Sequence, residues 1–392
     1  MRPLFLIMGR SFSHFAIQGG MDSQDKFEIF LVAPPGLEDV LCAETRAAGF
    51  PDPKQVPGGV TFDGHWPDVW RANLVLRGAT RVLARIGSFR AFHLAQLDKR
   101  SRKFPWGDVL PKGVPVRVEA TTSKRSKIYH AGAAKQRVEK ALHEEHGAII
   151  SNEAEIQIKL RIDDNNCVFS VDTSGETLHK RGHKEAVAKA PMRETLASLF
   201  LRQCGYDGTQ TVMDPMCGSG TFVIEAAEMA MGLYPGRSRS FAFEHLVPFD
   251  PDMWKDMRAQ TGPVLSDARF YGSDRNEGAI SASRANAARS GVQERVQFDC
   301  KAVSEMQRPD GPPGIVIVNP PYGSRIGNKK LLYALHAAFG DRLREAFGGW
   351  RVGIITTDAS LASATKLRFK KPGPPVPHGG LKIKLYQTDP LP

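Results

Sequence analysis

The sequence predicts an α/β protein in which a smaller α+β part leads into a doubly wound, mainly parallel sheet. Three observations carry that class. The run Ile315 to Val318 is wholly apolar and ends on Asn319, Pro320, Pro321 and Tyr322, as a strand buried on both faces would. The run VMDPMCGSGTF, Val212 to Phe222, passes from apolar residues through a Gly-rich turn into a helix. Further strands expected at Phe270, Val296 and Val352 alternate with helical stretches, the order that a parallel layer requires.

Taken in chain order, residues 1–26 read as a disordered leader. Its short apolar stretch is broken by Gly9 and Arg10, too early for a signal peptide, and Met21 is a second candidate start. A first unit, 27–90, alternates strand (Phe27 to Ala33), helix (Leu37 to Ala48), strand (Gly59 to Phe62), helix (Asp68 to Leu76) and strand (Arg81 to Phe89), which suggests a ferredoxin-like fold. A second unit, 91–175, offers a strand at Pro115 to Ala120, a helix from His130 to His146, and strands near Glu155 to Arg161 and Cys167 to Asp172. The polar stretch 176–190 reads as a linker. A helix is expected from Pro191, since proline suits a first helical turn, and opens the carboxyl-terminal domain 191–392. The late LKIKLYQ supplies an antiparallel strand.

Two strand ends carry the chemistry. In an open α/β sheet, ligands bind beyond the carboxyl ends of the strands. Asp214 closes one strand, Gly218 and Gly220 sit in the turn after it, and Asp274 closes a neighbouring strand, RFYGSD. A carboxylate there suits the two ribose hydroxyls of a nucleoside cofactor, and Asp274 equally suits a helix N-cap; the two roles are compatible. The turn has neither the GxGxxG spacing of dinucleotide sites nor a phosphate-binding lysine, which favours S-adenosylmethionine, a cofactor without phosphate. Asn319, Pro320, Pro321 and Tyr322 form a small polar pocket for a flat base with an exocyclic amine. Together the two motifs point to methyl transfer onto a nucleobase nitrogen.

Composition agrees. The chain has 392 residues with 53 Lys and Arg against 42 Asp and Glu, a net charge of +11 that favours an anionic partner such as nucleic acid. Cys42, Cys167, Cys204, Cys217 and Cys300 lack CxxC spacing, arguing against zinc and disulfides and for a reduced cytoplasm. Cys217 lies inside the glycine turn, where a small packed side chain is wanted. No apolar run is long enough for a membrane helix. In TTSKRSKIYH, Lys124, Arg125, Lys127, Tyr129 and His130 interleave charge with an aromatic before a helix, an arrangement suited to RNA phosphates; a solvated basic loop is the alternative. The insert 234–267 holds Arg237, Arg239, Phe241, Phe243, Trp254 and Lys255, whose aromatics are expected to cover the domain's own core rather than to stack on bases.

From about Phe27 to the end, the chain resembles the bacterial THUMP-bearing RNA guanine-N2-methyltransferases, in particular the 23S ribosomal RNA branch. The matching landmarks are LVAPPGLEDVLCAETRAAG, SKRSKIYHAGAAKQRVEKAL, VDTSGETLHKRGHKEAVAKAPMRETLA, DPMCGSGTF, GSDRN, NPPYGSRIG and GGLKIKLYQ, in the family's order and spacing. The resemblance implies a ferredoxin-like plus THUMP module and a Rossmann-like class I methyltransferase domain. It implies that Asp214, Pro215, Cys217, Gly218, Ser219, Gly220, Thr221, Asp274 and Arg275 hold S-adenosylmethionine, that Asn319 to Tyr322 hold the target guanine, and that no metal takes part. Two departures stand out. Ala302 occupies a place where the family often has an acid near adenine, which shifts that contact to backbone amides or Asp299, and Ser324 replaces the Glu of a Gly-Glu-Arg run after the tetrad. The rival readings are a transfer RNA substrate, adenine-N6 methylation of DNA through the same kind of tetrad, and an RNA-binding ribosome-assembly factor that has lost catalysis.

Overall fold

A computed structural model describes residues 26–185, 192–321 and 329–392. Residues 1–25 of the leader, the expected helix start at Pro191, and Tyr322 with Ser324 and Arg325 lie outside the described residues.

The amino-terminal part runs β1 (Phe27–Val32), α1 (Glu38–Ala47), β2 (Lys54–Val56), β3 (Gly59–Gly64), α2 (Trp66–Val75), β4 (Arg81–Arg90), α3 (Leu94–Arg102), β5 (Pro115–Thr122), α4 (Ala131–Ala141), β6 (Ile149–Ile150), β7 (Ile156–Asp163) and β8 (Asn166–Asp172). Its strands make one sheet in the order β2-β3-β1-β4-β8-β7-β5-β6. The two α+β segments therefore share a sheet: β4 pairs with β1 on one side and, antiparallel from Leu83↔Asp172 to Arg90↔Asn166, with β8 on the other. Alternation builds its core face, since Ile156, Ile158, Leu160 and Ile162 of β7 are buried while Lys159 and Arg161 point the other way. The short β2 and the charged helix α3 are additions to the elements expected from sequence. In α3 only Leu97 and Ser101 are buried, too sparse a stripe to show a helical period.

The carboxyl-terminal part runs α5 (Glu194–Gln203), β9 (Val212–Asp214), α6 (Thr221–Ala230), α7 (Pro251–Ala259), β10 (Phe270–Asp274), α8 (Glu277–Ser290), β11 (Val296–Cys300), β12 (Ile315–Val318), α9 (Lys329–Ala346), β13 (Arg351–Thr356), α10 (Ala359–Ala364), β14 (Val376–His378) and β15 (Leu381–Gln387). The sheet order is β11-β10-β9-β12-β13-β15-β14, parallel except at β15 and β14. The chain leaves β9 on one side and returns through β12 on the other, so the order reverses between them. A crevice opens there at the carboxyl ends.

The described part of the stretch expected to be a polar linker, residues 176–185, is packed into the protein. Leu178, Arg181 and His183 are buried, and Arg181 donates to Glu225 of α6 and to the carbonyl of Arg77. Arg77, in the turn between α2 and β4, donates to Glu225 and Glu228 at 2.9 and 3.0 Å, and Arg237 donates to Glu228 at 2.6 Å. Each cation answers a carboxylate contributed by another part of the chain, which is what makes such groups tolerable in a core. The insert completes the seam: Phe241, Phe243 and Trp254 are buried, as expected, and Phe243 stacks on Trp70 of α2.

Candidate functional site

The strand pairing brings three strand ends to one edge. Gly272 of β10 lies across from Asp214 of β9, and β12 runs parallel to β9 on the other side. Asp214 is buried, and its Oδ1 accepts the Met216 N–H at 3.0 Å. Burial pushes its carboxyl up to about 8, the Met216 bond opposing and the Asp274 charge adding to the rise. A cation placed against it would favour the carboxylate.

Between β9 and α6 the chain turns through Gly218 (φ +54) and Gly220 (φ +83). Both angles lie in the left-handed region, and a Cβ on Gly220 would meet the Phe298 ring at 3.0 Å and the Ser283 hydroxyl at 3.1 Å. Gly220 is the N-cap of α6, so a side chain there would be strained by its backbone angle and crowded by Phe298 and Ser283. Asp274 ties the turn to β10: its Oδ2 accepts the Gly218 N–H at 3.1 Å and its Oδ1 the Asn276 N–H at 2.9 Å. Each of its oxygens keeps a lone pair free for a further donor. Asn276, rather than Asp274, caps α8 with its side chain. Cys217 is buried, its amide donating to Ser273 O at 2.9 Å and its thiol pushed up by burial, which fits a packing role and leaves no reactive thiolate.

Asp214, Pro215, Cys217, Gly218, Ser219, Gly220, Thr221, Asp274 and Arg275 are thus gathered at this edge, with Pro215 buried and Arg275 exposed. Asn319, Pro320 and Pro321 follow β12 directly, Pro320 buried and Asn319 half-buried. Among the described residues, three buried polar oxygens here have no hydrogen-bond partner: Ser219 Oγ, Ser273 Oγ and Asn319 Oδ1. Buried polar atoms are normally paired. Unpaired ones on the glycine turn and at the ends of β10 and β12 fit a hydrogen-bonding nucleoside on one side and an amine on the other.

Ala302 stands next to this edge, since the Lys301 N–H donates to Asp274 O at 3.1 Å. Its own amide is already taken by Glu305 Oε2 at 2.9 Å, and Asp299 accepts Lys301 Nζ at 3.1 Å. The Ala302 amide and Asp299, the two groups expected to take over the adenine contact, are thus both engaged within the protein, the first in capping the short turn that begins at Ala302. Among the described residues no group of three or more His, Cys, Asp or Glu is placed to hold a metal ion.

Lys184 carries no signal in the sequence. Its Nζ is largely buried, donates to Thr221 Oγ1 at 2.8 Å and sits 2.9 Å from Glu194. It clamps the connector to the first residue of α6, and no local pattern reveals it, because the hydroxyl it meets lies 37 residues on.

The expected RNA-contact residues lie on the amino-terminal module. Lys124, Arg125, Lys127, Tyr129 and His130 are all exposed, with His130 at the N-cap of α4. Arg125 is already engaged by both oxygens of Asp163, at 2.9 and 3.0 Å. That leaves Lys124 and Lys127 as the cations of the loop with no carboxylate partner among the described residues.

Residues 181–375 match the family described as RMKL-like, methyltransferase domain, and residues 28–83 match the RlmL ferredoxin-like domain. Residues 181–375 belong to the RMKL-like methyltransferase domain family. Curated relatives named ribosomal RNA large subunit methyltransferase K/L are 32% identical over 355 residues in Aliivibrio salmonicida and 31% over 354 in Vibrio cholerae. Each alignment takes in 87% of this chain, which spans about half (50%) of the relative's length. Among solved structures, a possible methylase from Clostridium difficile 630 superposes with a TM-score of 0.83 at 28% identity, covering 94% of this chain and 99% of the other. SMU.472, a methyltransferase-like chain solved with SAH, gives 0.82 at 26% identity over 94% and 99% of the two chains. A predicted N6-adenine-specific DNA methylase from Listeria monocytogenes gives 0.80 at 27%, over 93% and 96%. The RMKL-like domain thus carries a Rossmann-like methyltransferase fold behind a ferredoxin-like start, and among the described residues no helix is long and apolar enough to cross a membrane.

Proposed function

We propose that this chain transfers a methyl group from S-adenosylmethionine to the exocyclic N2 of a guanine in large-subunit (23S) ribosomal RNA. The observation that carries the reading is the unpaired, buried Asn319 Oδ1 at the same sheet edge as the Asp214, Gly218 and Asp274 cradle. The names of the K/L relatives favour ribosomal over transfer RNA. We divide the chain into 27–90, 91–175, the connector 176–190 and the catalytic domain 191–392, and place the enzyme in the cytoplasm.

The cofactor, when bound, supplies an electrophilic methyl on a cationic sulfonium. The protein's task is alignment. Asp274 offers free carboxylate lone pairs to the ribose hydroxyls, and the Gly218 to Gly220 turn lets backbone come close without a Cβ. Asn319 Oδ1 and the Pro320 carbonyl accept from the guanine amine, hold its hydrogens out of plane and aim the nitrogen lone pair at the methyl; Tyr322 stacks on the base. A strongly basic side chain is then unnecessary, because positioning and fixed dipoles lower the barrier, and the nitrogen, strongly acidic once methylated, would lose its proton to water along the Asn319 and Pro320 acceptors. A helical base cannot reach such a pocket, so the target guanine is presented unpaired.

Asp214→Ala and Gly218→Val are expected to abolish cofactor binding while leaving the fold intact. Calorimetric titration with S-adenosylmethionine checks this, and parental affinity in both variants would rule the cradle out. Replacing Lys124, Arg125 and Lys127 together should weaken RNA binding. It should also flatten the log-log salt dependence by roughly 0.7 to 0.9 for each phosphate no longer neutralised. With Arg125 held by Asp163, the expected change comes from the two lysines. Nucleoside mass spectrometry of ribosomal and transfer RNA from a deletion strain tests the reaction itself: loss of N2-methylguanosine from 23S RNA is expected, whereas loss of N6-methyladenosine would assign the tetrad to adenine.

A further inference from the structure

The loop after β4 presents an aromatic that belongs to none of the sequence motifs. Phe92 is 41% exposed, with the Arg90 guanidinium 5.7 Å and the Lys127 ammonium 5.6 Å from its ring centre. Tyr129, two residues beyond Lys127, is 76% exposed. Such rings rarely stand free between cations for the sake of folding, since water contact forfeits their burial energy.

The surface is built. Asn165, buried in the β7–β8 turn at φ +60, accepts the Ala91 N–H on its carbonyl at 2.9 Å and the Lys127 N–H on its Oδ1 at 2.8 Å. One residue thereby holds the loop bearing Phe92 against the loop bearing Lys127. Phe92 is further anchored by its own amide, which donates to Gln96 Oε1 at 2.9 Å, and Tyr129 by its carbonyl, which accepts from the Thr122 hydroxyl at 2.9 Å. Buried Ala91 and Ile128 fix the backbone on either side.

We propose that Phe92 and Tyr129 form a stacking platform for unpaired nucleotides of RNA, with Arg90, Lys124 and Lys127 taking the flanking phosphates. Every base offers a π face, so rings interleaved with cations suit single-stranded RNA without demanding a sequence. A duplex hides those faces and offers this surface only its phosphates. The inference rests on the reading of the chain as an RNA enzyme and names the strand form that its amino-terminal module grips.

The test uses the full chain, fluorescein-labelled oligo(U), and an RNA duplex of equal length, with anisotropy read across a salt series. Phe92→Ala should weaken oligo(U) binding roughly tenfold, the effect expected from losing one stacked base. The slope against salt should stay unchanged and duplex affinity nearly so. Phe92→Trp should retain affinity, and its fluorescence should be quenched by oligo(U), which also shows that the loop is intact. Parental oligo(U) affinity in Phe92→Ala, or an equal loss for duplex and single strand, overturns the platform. S-adenosylmethionine titration of the same variants separates the two readings: a chain that binds cofactor but no RNA at all sinks the RNA assignment together with the platform.

Discussion

Asn319→Ala is expected to slow single-turnover methylation about a hundredfold or more while leaving S-adenosylmethionine affinity close to that of the parent. The Asn319 carboxamide oxygen is buried without a hydrogen-bond partner among the described residues, so under the proposed reading its accepting capacity would go to the amine. An acceptor that meets the amine hydrogens as they leave the ring plane is worth more in the transition state than in the ground state. By analogy with removal of one oxyanion-hole donor, the loss is on the order of 3 kcal/mol. Rapid-quench measurement with saturating enzyme reads it, and an unchanged rate would remove Asn319 from the chemistry. Tyr322→Ala should instead reduce both base capture and rate, since stacking contributes about 1 to 3 kcal/mol per base.

Glu225→Ala should be strongly destabilising, costing about 3 to 5 kcal/mol in urea unfolding. Glu225 alone among the acids of the seam accepts from both Arg77 and Arg181, and all three side chains are buried. Removing it leaves the buried Arg181 guanidinium with only backbone carbonyls to donate to and Arg77 with Glu228 as its one remaining carboxylate among the described residues. Burial pushes its carboxyl up, but Arg181 and Arg77 more than offset this and bring it from 4.5 to about 2. A depressed value means stability present above the unfolded carboxylate's range and lost as the pH falls through the folded value. The gap between parent and variant should therefore narrow as pH drops from about 4.5 toward 2. Glu225→Gln, which keeps the hydrogen bonds and loses the charge, should fall between the two. A loss under about 1 kcal/mol for Glu225→Ala would mean that the cluster relaxes around the gap.

The same cluster has a functional consequence. Glu225 and Glu228 lie on α6, whose first residue, Thr221, follows the Gly218–Gly220 turn and is clamped by Lys184. The module that would grip RNA and the turn that would hold the methyl donor are thus joined through one helix.

Much of this was legible in the chain itself. VMDPMCGSGTF announces its strand, turn and helix because a left-handed turn needs Gly218 and Gly220 whatever surrounds it, and apolar periodicity is a local property of β9 and α6. The run before Asn319 reads as a central strand for the same reason, and the insert's Phe241, Phe243 and Trp254 are core because rings that large are seldom left in water. The starts of α5 and α3 were less legible. The first has Arg193 as its N-cap and Glu194 as its first residue, with the expected proline lying earlier, and the second buries too few residues to show a stripe.

What the sequence by itself determined, then, is the class of each segment and the residue types at the two strand ends, since φ preference and hydrophobic period depend on neighbours along the chain. Only the tertiary structure decided how charges and surfaces were spent. Arg125 looks free until Asp163 meets it, the connector looks like a polar linker until Arg181 finds Glu225, and Phe92 carries no signal until it stands between Arg90 and Lys127. The physical reason is common to all three: an ion pair or an exposed ring is defined by what a distant segment brings beside it, and no local pattern encodes the partner.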